Sequence, residues 1–310
     1  QYVLNGTTDK SVSVWGNDNS EEGLKEAHYI KLNNTTINGG IVEVNSPVKM
    51  VVEVADGTVN TVKSLDATDL TIKGKGTLNT TSLNVTQKTS YMSSKLLISD
   101  TTVTVTEPAN SGDSCEWNGE CVLSGNAKVT YISQNNYSPL KMGVKKDDPT
   151  HSMTLKDNAK LYCLHQNPDQ ASDSSVSGLE IFHGDLTLEG TVVAQGTGGT
   201  GYAGGIAAYA RDAGIRRCVN RAAVTVSGYT FNQYVGGIVG SSSGDLEIKN
   251  CLNEGNITVT RSVSGSGENV VGGIAGSCGG STVTLCWNKG DVTVDSVIDS
   301  NYVGGVAARG

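Results

Sequence analysis

Proline, phenylalanine and strong helix formers are scarce in this sequence. Its 310 residues include 5 prolines and 2 phenylalanines, against 39 glycines. Valine, isoleucine and threonine recur in short alternating runs, which are typical of strands joined by tight turns. No apolar run approaches the length that a membrane-spanning helix needs. The composition therefore predicts a β-rich, turn-rich chain with no membrane-spanning segment.

Clusters of basic residues are also absent, and the net charge is −8. A chain of this charge does not attract phosphate backbones or anionic lipid headgroups. We therefore expect no nucleic-acid partner and no anionic membrane surface as a partner.

Metal-binding and catalytic signatures are missing as well. The histidines never occur at metal-ligand spacing, and no His-Glu-x-x-His occurs; they are His28, His151, His165 and His183. Nothing completes a zinc site around Cys163 and His165, and no Lys-Ser/Thr follows the glycine-rich run 196–201. We expect no metal, no cofactor and no catalytic residue, and hence no enzyme.

The cysteine count and the chain ends give two further expectations. The seven cysteines are an odd number, so at least one has no partner within this chain. Cys115 and Cys121 bracket a short polar loop, and they either close a small disulfide or remain free. The chain begins with Gln1, and Gly310 falls inside a repeat. We therefore expect a fragment of a longer protein.

Three signals repeat in phase through the last third of the chain. Glycine pairs begin at residues 204, 236, 272 and 304, which are 32, 36 and 32 residues apart. A Cys-x-Asn signature follows at residues 218, 251 and 286, and a strand centred on Val-Thr-Val or Ile-Thr-Val ends at 226, 259 and 294. Such phasing indicates one structural unit stacked on copies of itself.

A looser motif precedes these repeats, namely two short alternating strands around a tight turn. The apolar residue before each turn recurs at intervals of 26, 25, 32 and 26 residues: Ile72, Ile98, Leu123, Leu155 and Ile181. Asp100, Asp157 and Asp185 are assigned to the turns, where Asp bonds its own backbone. The interval suits one coil of a parallel β-helix.

Both motifs predict an all-β chain folded as a right-handed parallel β-helix. We divide it into an N-terminal cap over 1–34, irregular coils over 35–190 and regular repeats over 191–310. The cap is expected to include a short helix at 21–28. Polar insertions are expected to project from one side of the coils; they lie at 87–95, 107–120, 133–151 and 164–178.

Stacked coils place like residues on like residues. We expect the valines of Val-Thr-Val inside and the threonines outside, with the repeated cysteines stacked in the bore. Ile215 shares that interior with Cys218 only if the strand bends between them. Each repeated Asn is expected to adopt the left-handed conformation at a corner and to bond the Asn of the next coil.

The glycine-pair segment is apolar on both faces. Its outer face carries Ala203, Val235, Val271 and Val303. Two coverings remain open: the chain itself, through loops such as 191–201, or lateral packing against a partner.

The phrase Val235-Gly-Gly-Ile-Val-Gly, followed by Cys251-Leu-Asn-Glu-Gly-Asn-Ile-Thr-Val, resembles the GLUG-type repeats of bacterial cell-surface proteins. The similarity covers roughly residues 200–310, and the first copy departs from it at Arg221-Ala-Ala223. Similar repeats occur beside the catalytic part of IgA-protease-like peptidases, but the zinc signature of those peptidases is absent here. The resemblance implies a β-solenoid at the cell surface or secreted, and it implies no activity.

Two side-chain groups are candidates for ligand binding. The stripe of Tyr202, Tyr234 and Tyr302 places one aromatic ring in three of the four repeats, either as a ligand surface or as a stabilising stack. The arginines at 211, 216, 217 and 221 either bind an acidic sugar or form a solvated, ion-paired corner.

These observations favour a non-enzymatic, extracellular β-solenoid that acts as an adhesin or structural stalk. Its expected partner is a host or cell-surface glycan or protein, and lateral self-association is a further expectation. One alternative is a glycan-binding or glycan-cleaving β-helix, which needs carboxylates and aromatics from successive coils on one face. Another is the non-catalytic arm of a larger secreted peptidase.

Overall fold

The computed structural model describes residues 2–15, 27–44, 47–86, 93–108, 115–134, 140–142, 152–165, 175–181, 184–188, 191–196, 200–221, 223–227, 232–261 and 267–310. Within 163–200 and at 227 it describes the backbone alone. All regular secondary structure in these parts is β-strand, in agreement with the predicted fold class. No helix long and apolar enough to cross a membrane occurs among these residues.

The chain begins with a group of opening strands. The later strands form sets that we call tiers: a tier is a run of consecutive strands that pair with the equivalent strands of the tiers before and after it. The opening strands are β1 Tyr2–Thr8, β2 Val12–Trp15, β3 Ala27–Val44, β4 Lys49–Val54 and β5 Val59–Ala67. Five tiers of three strands follow: β6 Asp69–Lys73, β7 Thr77–Thr80 and β8 Ser82–Val85; β9 Lys95–Ser99, β10 Thr102–Glu107 and β11 Cys115–Trp117; β12 Glu120–Ser124, β13 Lys128–Ser133 and β14 Leu140–Met142; β15 Ser152–Leu155, β16 Lys160–His165 and β17 Ser175–Ile181; β18 Gly184–Leu188, β19 Thr191–Gly196 and β20 Thr200–Arg211.

Three tiers of five strands complete the described chain. They are β21 Ala213–Arg216, β22 Val219–Asn220, β23 Val224–Ser227, β24 Gln233–Gly236 and β25 Val239–Ser243; β26 Glu247–Lys249, β27 Leu252–Asn253, β28 Ile257–Arg261, β29 Asn269–Gly272 and β30 Ala275–Cys278; β31 Thr282–Thr284, β32 Trp287–Asn288, β33 Val292–Ser296, β34 Asn301–Gly304 and β35 Ala307–Arg309.

The strands pair in parallel with the corresponding strands of neighbouring tiers; β19 is an exception, because among the described pairings it pairs only with β16 of the tier before it. In the three-strand tiers β6 pairs with β9, β7 with β10 and β8 with β11. In the five-strand tiers β24 pairs with β29, and β29 pairs with β34. The long strand β20 joins the two parts, since it pairs with β17 before it and with β24 and β25 after it.

The expected helix at 21–28 is not present in the described part of that segment. Ala27 and His28 open strand β3, where they pair with Lys49 and Met50. Strand pairing stabilises them as extended chain. Residues 21–26 lie outside the described residues.

The predicted register of the irregular part is correct for four of its five positions. Ile72 pairs with Ile98, Ile98 with Leu123, and Leu123 with Leu155. The assignment of Ile181 is wrong, because Leu155 pairs with Leu188 instead. Ile181 lies in β17, the third strand of the previous tier. The residues around Gly184 have the composition of a turn, yet they begin the strand β18.

The predictions for the aspartates are likewise correct before Ile181 and wrong after it. Asp100 and Asp157 occupy turns with positive φ angles of 58° and 60°, as predicted. Their carboxylates accept backbone N–H groups one tier away: Asn126 donates to Asp100 and Gly125 donates to Asp157, both at 2.9 Å. Asp185 was misassigned, because it lies in β18 and pairs with Ser152.

Three of the predicted insertions contain a strand or the start of one. The insertion at 107–120 includes β11, the insertion at 133–151 includes β14, and the insertion at 164–178 includes the first residues of β17. Each of these strands adds a third side to its tier. The remainder of the predicted insertions lies mainly outside the described residues.

The repeated cysteines lie in the main core, as expected. Cys218 and Cys251 are fully buried, and the Cys251 N–H points to the Cys286 sulfur at 3.4 Å. The expected bend lies one residue before each cysteine, where the chain adopts positive φ angles of 56°, 54° and 51° at Arg217, Asn250 and Leu285. This bend lets Ile215 and Cys218 share one core.

The repeated asparagines form the predicted column, although their conformation differs from the prediction. They lie in the short strands β22, β27 and β32, and the positive φ angles fall three residues earlier. Asn220 donates to the Asn253 side-chain oxygen at 2.8 Å, and Asn253 donates to that of Asn288 at 2.8 Å. Asn253 also donates to the Gly255 carbonyl at 2.8 Å. The fully buried Asn253 amide is therefore used as both donor and acceptor.

The glycine pairs are explained by two close approaches. A Cβ on the first glycine, Gly236, would lie 2.0 Å from the Val239 carbonyl oxygen, because the chain turns sharply between β24 and β25. A Cβ on the second, Gly237, would lie 2.3 Å from the Asn253 side-chain carbon. The first glycine permits the turn, and the second leaves room for the asparagine column.

The outer face of the glycine-pair segment is buried in a second, smaller core. The valines of the Val-Thr-Val strands pack there and not in the main core, together with Ala203, Val235 and Val271. The covering is therefore the chain itself, as one alternative held, and among the described side chains it comes from β23 and β28, with Val292 and Val294 of β33 packed beside them. Of the corresponding threonines, Thr225 and Thr293 are exposed, as expected, and Thr258 is partly buried.

We predict that Gly237→Ala lowers the free energy of unfolding by about 3 kcal/mol, because the added methyl overlaps the asparagine column. The matched control is Gly305→Ala. Gly305 holds the same place in the last glycine pair, but a Cβ there meets nothing within 4 Å. Its effect should stay within about 0.5 kcal/mol. Urea unfolding followed by circular dichroism measures both. Equal losses would contradict the role assigned to the asparagine column.

Candidate functional site

The predicted tyrosine stripe lies on one row of paired strands. Tyr202 pairs with Tyr234, Tyr234 with Val270, and Val270 with Tyr302. The expected register, with its single break at Val270, is therefore present.

The ring faces of this stripe are partly covered by other side chains. Tyr202 and Tyr234 stack on each other, with centroids 5.3 Å apart and planes 15° apart. The guanidinium carbon of Arg309 lies 4.5 Å from the Tyr302 centroid, and Arg309 also pairs with Glu268 at 2.8 Å. The stripe therefore stabilises the stacked strands and does not form one continuous open platform.

A third ring, Tyr209, extends the Tyr202–Tyr234 stack sideways. Its centroid lies 5.6 Å from that of Tyr202, with planes 59° apart. Its hydroxyl lies 2.7 Å from the Ser243 hydroxyl. Burial raises the pKa of the Tyr202 phenol above its ordinary value. We call Tyr202, Tyr209 and Tyr234 the tyrosine cluster.

The arginine group forms ion pairs between tiers. Arg216 meets Glu247 at 2.8 Å, and Arg221 meets Glu254 at 3.0 Å. Lys289 of the next tier reaches the other oxygen of Glu254 at 3.4 Å. The ion-paired alternative therefore describes Arg216 and Arg221, and Arg211 pairs with Asp212 at 3.4 Å.

A row of polar residues that the sequence analysis missed runs along the third strands of the tiers. Glu116 pairs with Lys141, Lys141 with Glu180, and Glu180 with Tyr209. The Glu116 N–H donates to the Asn84 side-chain oxygen at 2.9 Å. We call these five residues the polar row.

The described side chains of the polar row lie on the outer face of their strands. Asn84, Glu116, Lys141 and Tyr209 are partly buried. The neighbours of the first three belong to the main core: Leu83, Val85, Cys115, Trp117, Leu140 and Met142. Because side chains alternate along a strand, the row faces away from that core.

The polar row joins the tyrosine cluster at Tyr209, which belongs to both. Successive members of the row lie about 4.8 Å apart along the tiers. One surface therefore combines a carboxylate, an ammonium group, an amide and three phenols. The sequence gives little signal for it, because the intervals between the members are 32, 25, 39 and 29 residues.

The cysteines do not form the disulfide that one alternative proposed. Cys115 and Cys121 are both free and buried, in β11 and β12. Burial raises the pKa of both thiols. A hydrogen bond with the Cys218 thiol, together with burial, raises the pKa of Cys251 to about 12. These thiols stay protonated at neutral pH and serve as packing groups.

Metal ligands give no second candidate. Within the described ranges, no three residues of the His, Cys, Asp and Glu types come together as metal ligands. A cavity of about 410 Å³ opens between the opening strands β1, β2 and β3, and its lining residues are Tyr2, Leu4, Val12, Ser13, Val14, Trp15, His28 and Ile30. Its lining is mainly apolar and belongs to the end of the strand stack. His151, His165 and His183 lie outside the residues whose side chains are described.

We predict that the ion-paired corner makes stability depend on pH in the acid range. The hydrogen bond from Arg216 lowers the pKa of Glu247, and the hydrogen bond from Arg221 lowers that of Glu254. A lowered folded-state pKa gives stability that is present above the unfolded value, about pH 4.3, and lost as pH falls through the folded value. The melting temperature of the Glu247→Gln/Glu254→Gln variant should therefore change less between pH 5 and pH 3 than that of the parent chain. Identical profiles for variant and parent would contradict this.

Comparison with known proteins adds no relative to this description. No family model, no curated protein and no solved structure matches the chain.

Proposed function

We propose that the chain is a non-enzymatic, surface-exposed right-handed β-helix that acts as an adhesin or structural stalk. The observation that carries this proposal is the register of the last three tiers. The isoleucine and cysteine positions, the asparagines and the Val-Thr-Val strands of each tier lie over their equivalents in the next. Such stacking makes each tier the template for the next, as in a solenoid.

The pairing order supports the winding. Among the described pairings, consecutive strands of a tier do not form hairpins; β12, β13 and β14, for example, each pair in parallel with their equivalent one tier later. A chain that returns to the same side after every tier follows a helical path. Crossovers between parallel strands are right-handed in nearly all proteins, which supports the proposed hand.

The extracellular location rests on the resemblance to GLUG-type repeats over 200–310. The same resemblance supports the second possibility, that the chain is the non-catalytic arm of a larger secreted peptidase. A rigid stack suits either role, because it holds a binding surface at a fixed distance from its attachment. The N-terminal cap over 1–34 and the division at 190 stay predictions.

The non-enzymatic assignment is supported by how the described carboxylates are used. Asp100 and Asp157 accept backbone hydrogen bonds in turns. Glu247 and Glu254 pair with arginines. The alternative of a glycan-binding β-helix is favoured by one observation, the polar row beside the tyrosine cluster.

Beads coated with the full chain should be retained under flow on surfaces coated with mucin or host matrix proteins, because an adhesin binds while its scaffold stays folded. Retention is counted against beads coated with serum albumin. In parallel, the chain is incubated with soluble polysaccharides, and reducing ends and unsaturated products are measured. We expect retention above the albumin control and no turnover.

Retention equal to that of albumin on every surface would contradict the adhesin. Steady release of sugar products would contradict the non-enzymatic assignment. A full-length gene that encodes a peptidase domain downstream would instead favour the arm.

A further inference from the structure

We propose that the cavity between β1, β2 and β3 binds an uncharged aromatic molecule of two or three fused rings that carries a hydroxyl or carbonyl group. The cavity has a volume of about 410 Å³ and lies among the opening strands, whereas the tyrosine cluster begins at β20. We call it the opening cavity. Its ligand is a small molecule, so the site is separate from the surface of an adhesin and does not depend on the proposed function.

The floor of the opening cavity is apolar and packed against the main core. Val14 and Ile30 are 6% and 3% exposed and belong to that core. Among the described residues that line the cavity, none is Asp, Glu, Lys or Arg. Moving a charged group from water onto such a surface is costly, because no opposite charge compensates for the lost hydration. The floor therefore favours an uncharged ligand. Its aliphatic side chains are Leu4, Val12, Val14 and Ile30.

The rim of the opening cavity is aromatic and exposed. Tyr2 is 67% exposed and Trp15 is 55% exposed, and both line the cavity. A flat ring that enters between them removes part of this apolar area from water. Contacts between aromatic rings also add stabilisation beyond the area that they bury. The rim therefore favours an aromatic ligand over a saturated one of the same size.

Polar groups at the cavity supply the hydrogen bonds for one oxygen of the ligand. Strand β2 pairs only with β3 among the described pairings, so the N–H and C=O groups along its other edge have no strand partner there. All four residues of β2 line the cavity, together with His28 of β3. An imidazole either donates or accepts a hydrogen bond. A hydroxyl or carbonyl group on the ligand can pair with these groups, which fixes its orientation.

The size of the cavity sets the size of the ligand. A cavity of roughly 150 Å³ holds one benzene ring in another protein. At about 410 Å³ the opening cavity has space for two or three fused rings. Its volume also lies within the range of about 300–1,000 Å³ that is usual for small-molecule sites. A single ring would leave part of the floor without contacts.

The walls of the cavity are held in place before any ligand arrives. The turn between β1 and β2 is tied to β3, because the Asn38 side chain donates to the Asp9 carboxylate at 2.6 Å. Strand β1 is tied to β3 as well, since the Thr35 hydroxyl donates to the Leu4 carbonyl. Groups that are already ordered lose less entropy when a ligand binds.

The test titrates the full chain with four probes that share one ring framework, and affinity is measured by isothermal titration calorimetry. The probes are neutral 2-naphthol, anionic 2-naphthoate, cationic 2-naphthylmethylammonium and the saturated alcohol decahydro-2-naphthol. We expect one 2-naphthol per chain, bound at least tenfold more tightly than either charged probe. It should also bind about three- to tenfold more tightly than the saturated alcohol, which cannot stack.

The two rim residues are then substituted one at a time. Trp15→Ala and Tyr2→Ala should each weaken 2-naphthol binding about three- to tenfold, because each removes one aromatic contact. The matched control is Trp287→Ala, since Trp287 has a similar exposed fraction, 58%, but lies in β32 of the last tier. The control should leave affinity unchanged. Circular dichroism and melting curves verify that every variant is folded, and none of the substitutions removes a buried side chain.

Three results would overturn the site: the folded chain binds no 2-naphthol, a charged probe binds as tightly, or Trp287→Ala weakens binding as much as Trp15→Ala. Sedimentation velocity tests a second copy of the chain as the occupant. The parent and Trp15→Ala should sediment alike. A dimer that Trp15→Ala dissociates would show that another copy fills the cavity, and the small-molecule site would be wrong.

Discussion

The contact between the second glycine of the first three pairs and the asparagine column is the constraint on which the repeated tiers depend. Gly237 has no side chain, so the Asn253 amide lies against its backbone. That amide then bonds both the tier before and the tier after. A buried amide without partners is costly, whereas a satisfied one fixes the position of its neighbours. The space left by the glycine therefore lets the Asn253 amide bond Asn220 and Asn288, and these bonds align three tiers.

This register creates two cores instead of one. The glycine-pair strands present Ile238 to the main core and Val235 to the smaller core beneath the Val-Thr-Val strands. Burial of both faces removes apolar surface that would otherwise need a partner chain. The surface left for function is therefore the outer side of other strands. Among the described side chains, those of Asn84, Glu116 and Lys141 and the tyrosine cluster lie there.

The regular repeats allowed most of their fold to be predicted from the sequence. The asparagine column, the stacked cysteines and the bend after Ile215 follow from a nearly constant period. Prediction failed where residues typical of turns occur inside a strand, as at Gly184. Ile181 was therefore predicted to pair with Leu155, whereas Leu188 does so. It also failed for the left-handed residues, because Arg217 and Leu285 are not residue types that favour that conformation.

The sequence by itself determined that the chain is all-β, that its repeats stack, and that Tyr202, Tyr234 and Tyr302 share one row. Periodicity encodes these features, because equal spacing returns equivalent residues to one side. The tertiary structure alone decided that Glu116, Lys141 and Tyr209 belong together. Connecting segments of unequal length separate them along the chain, and only the pairing of strands restores their order in space.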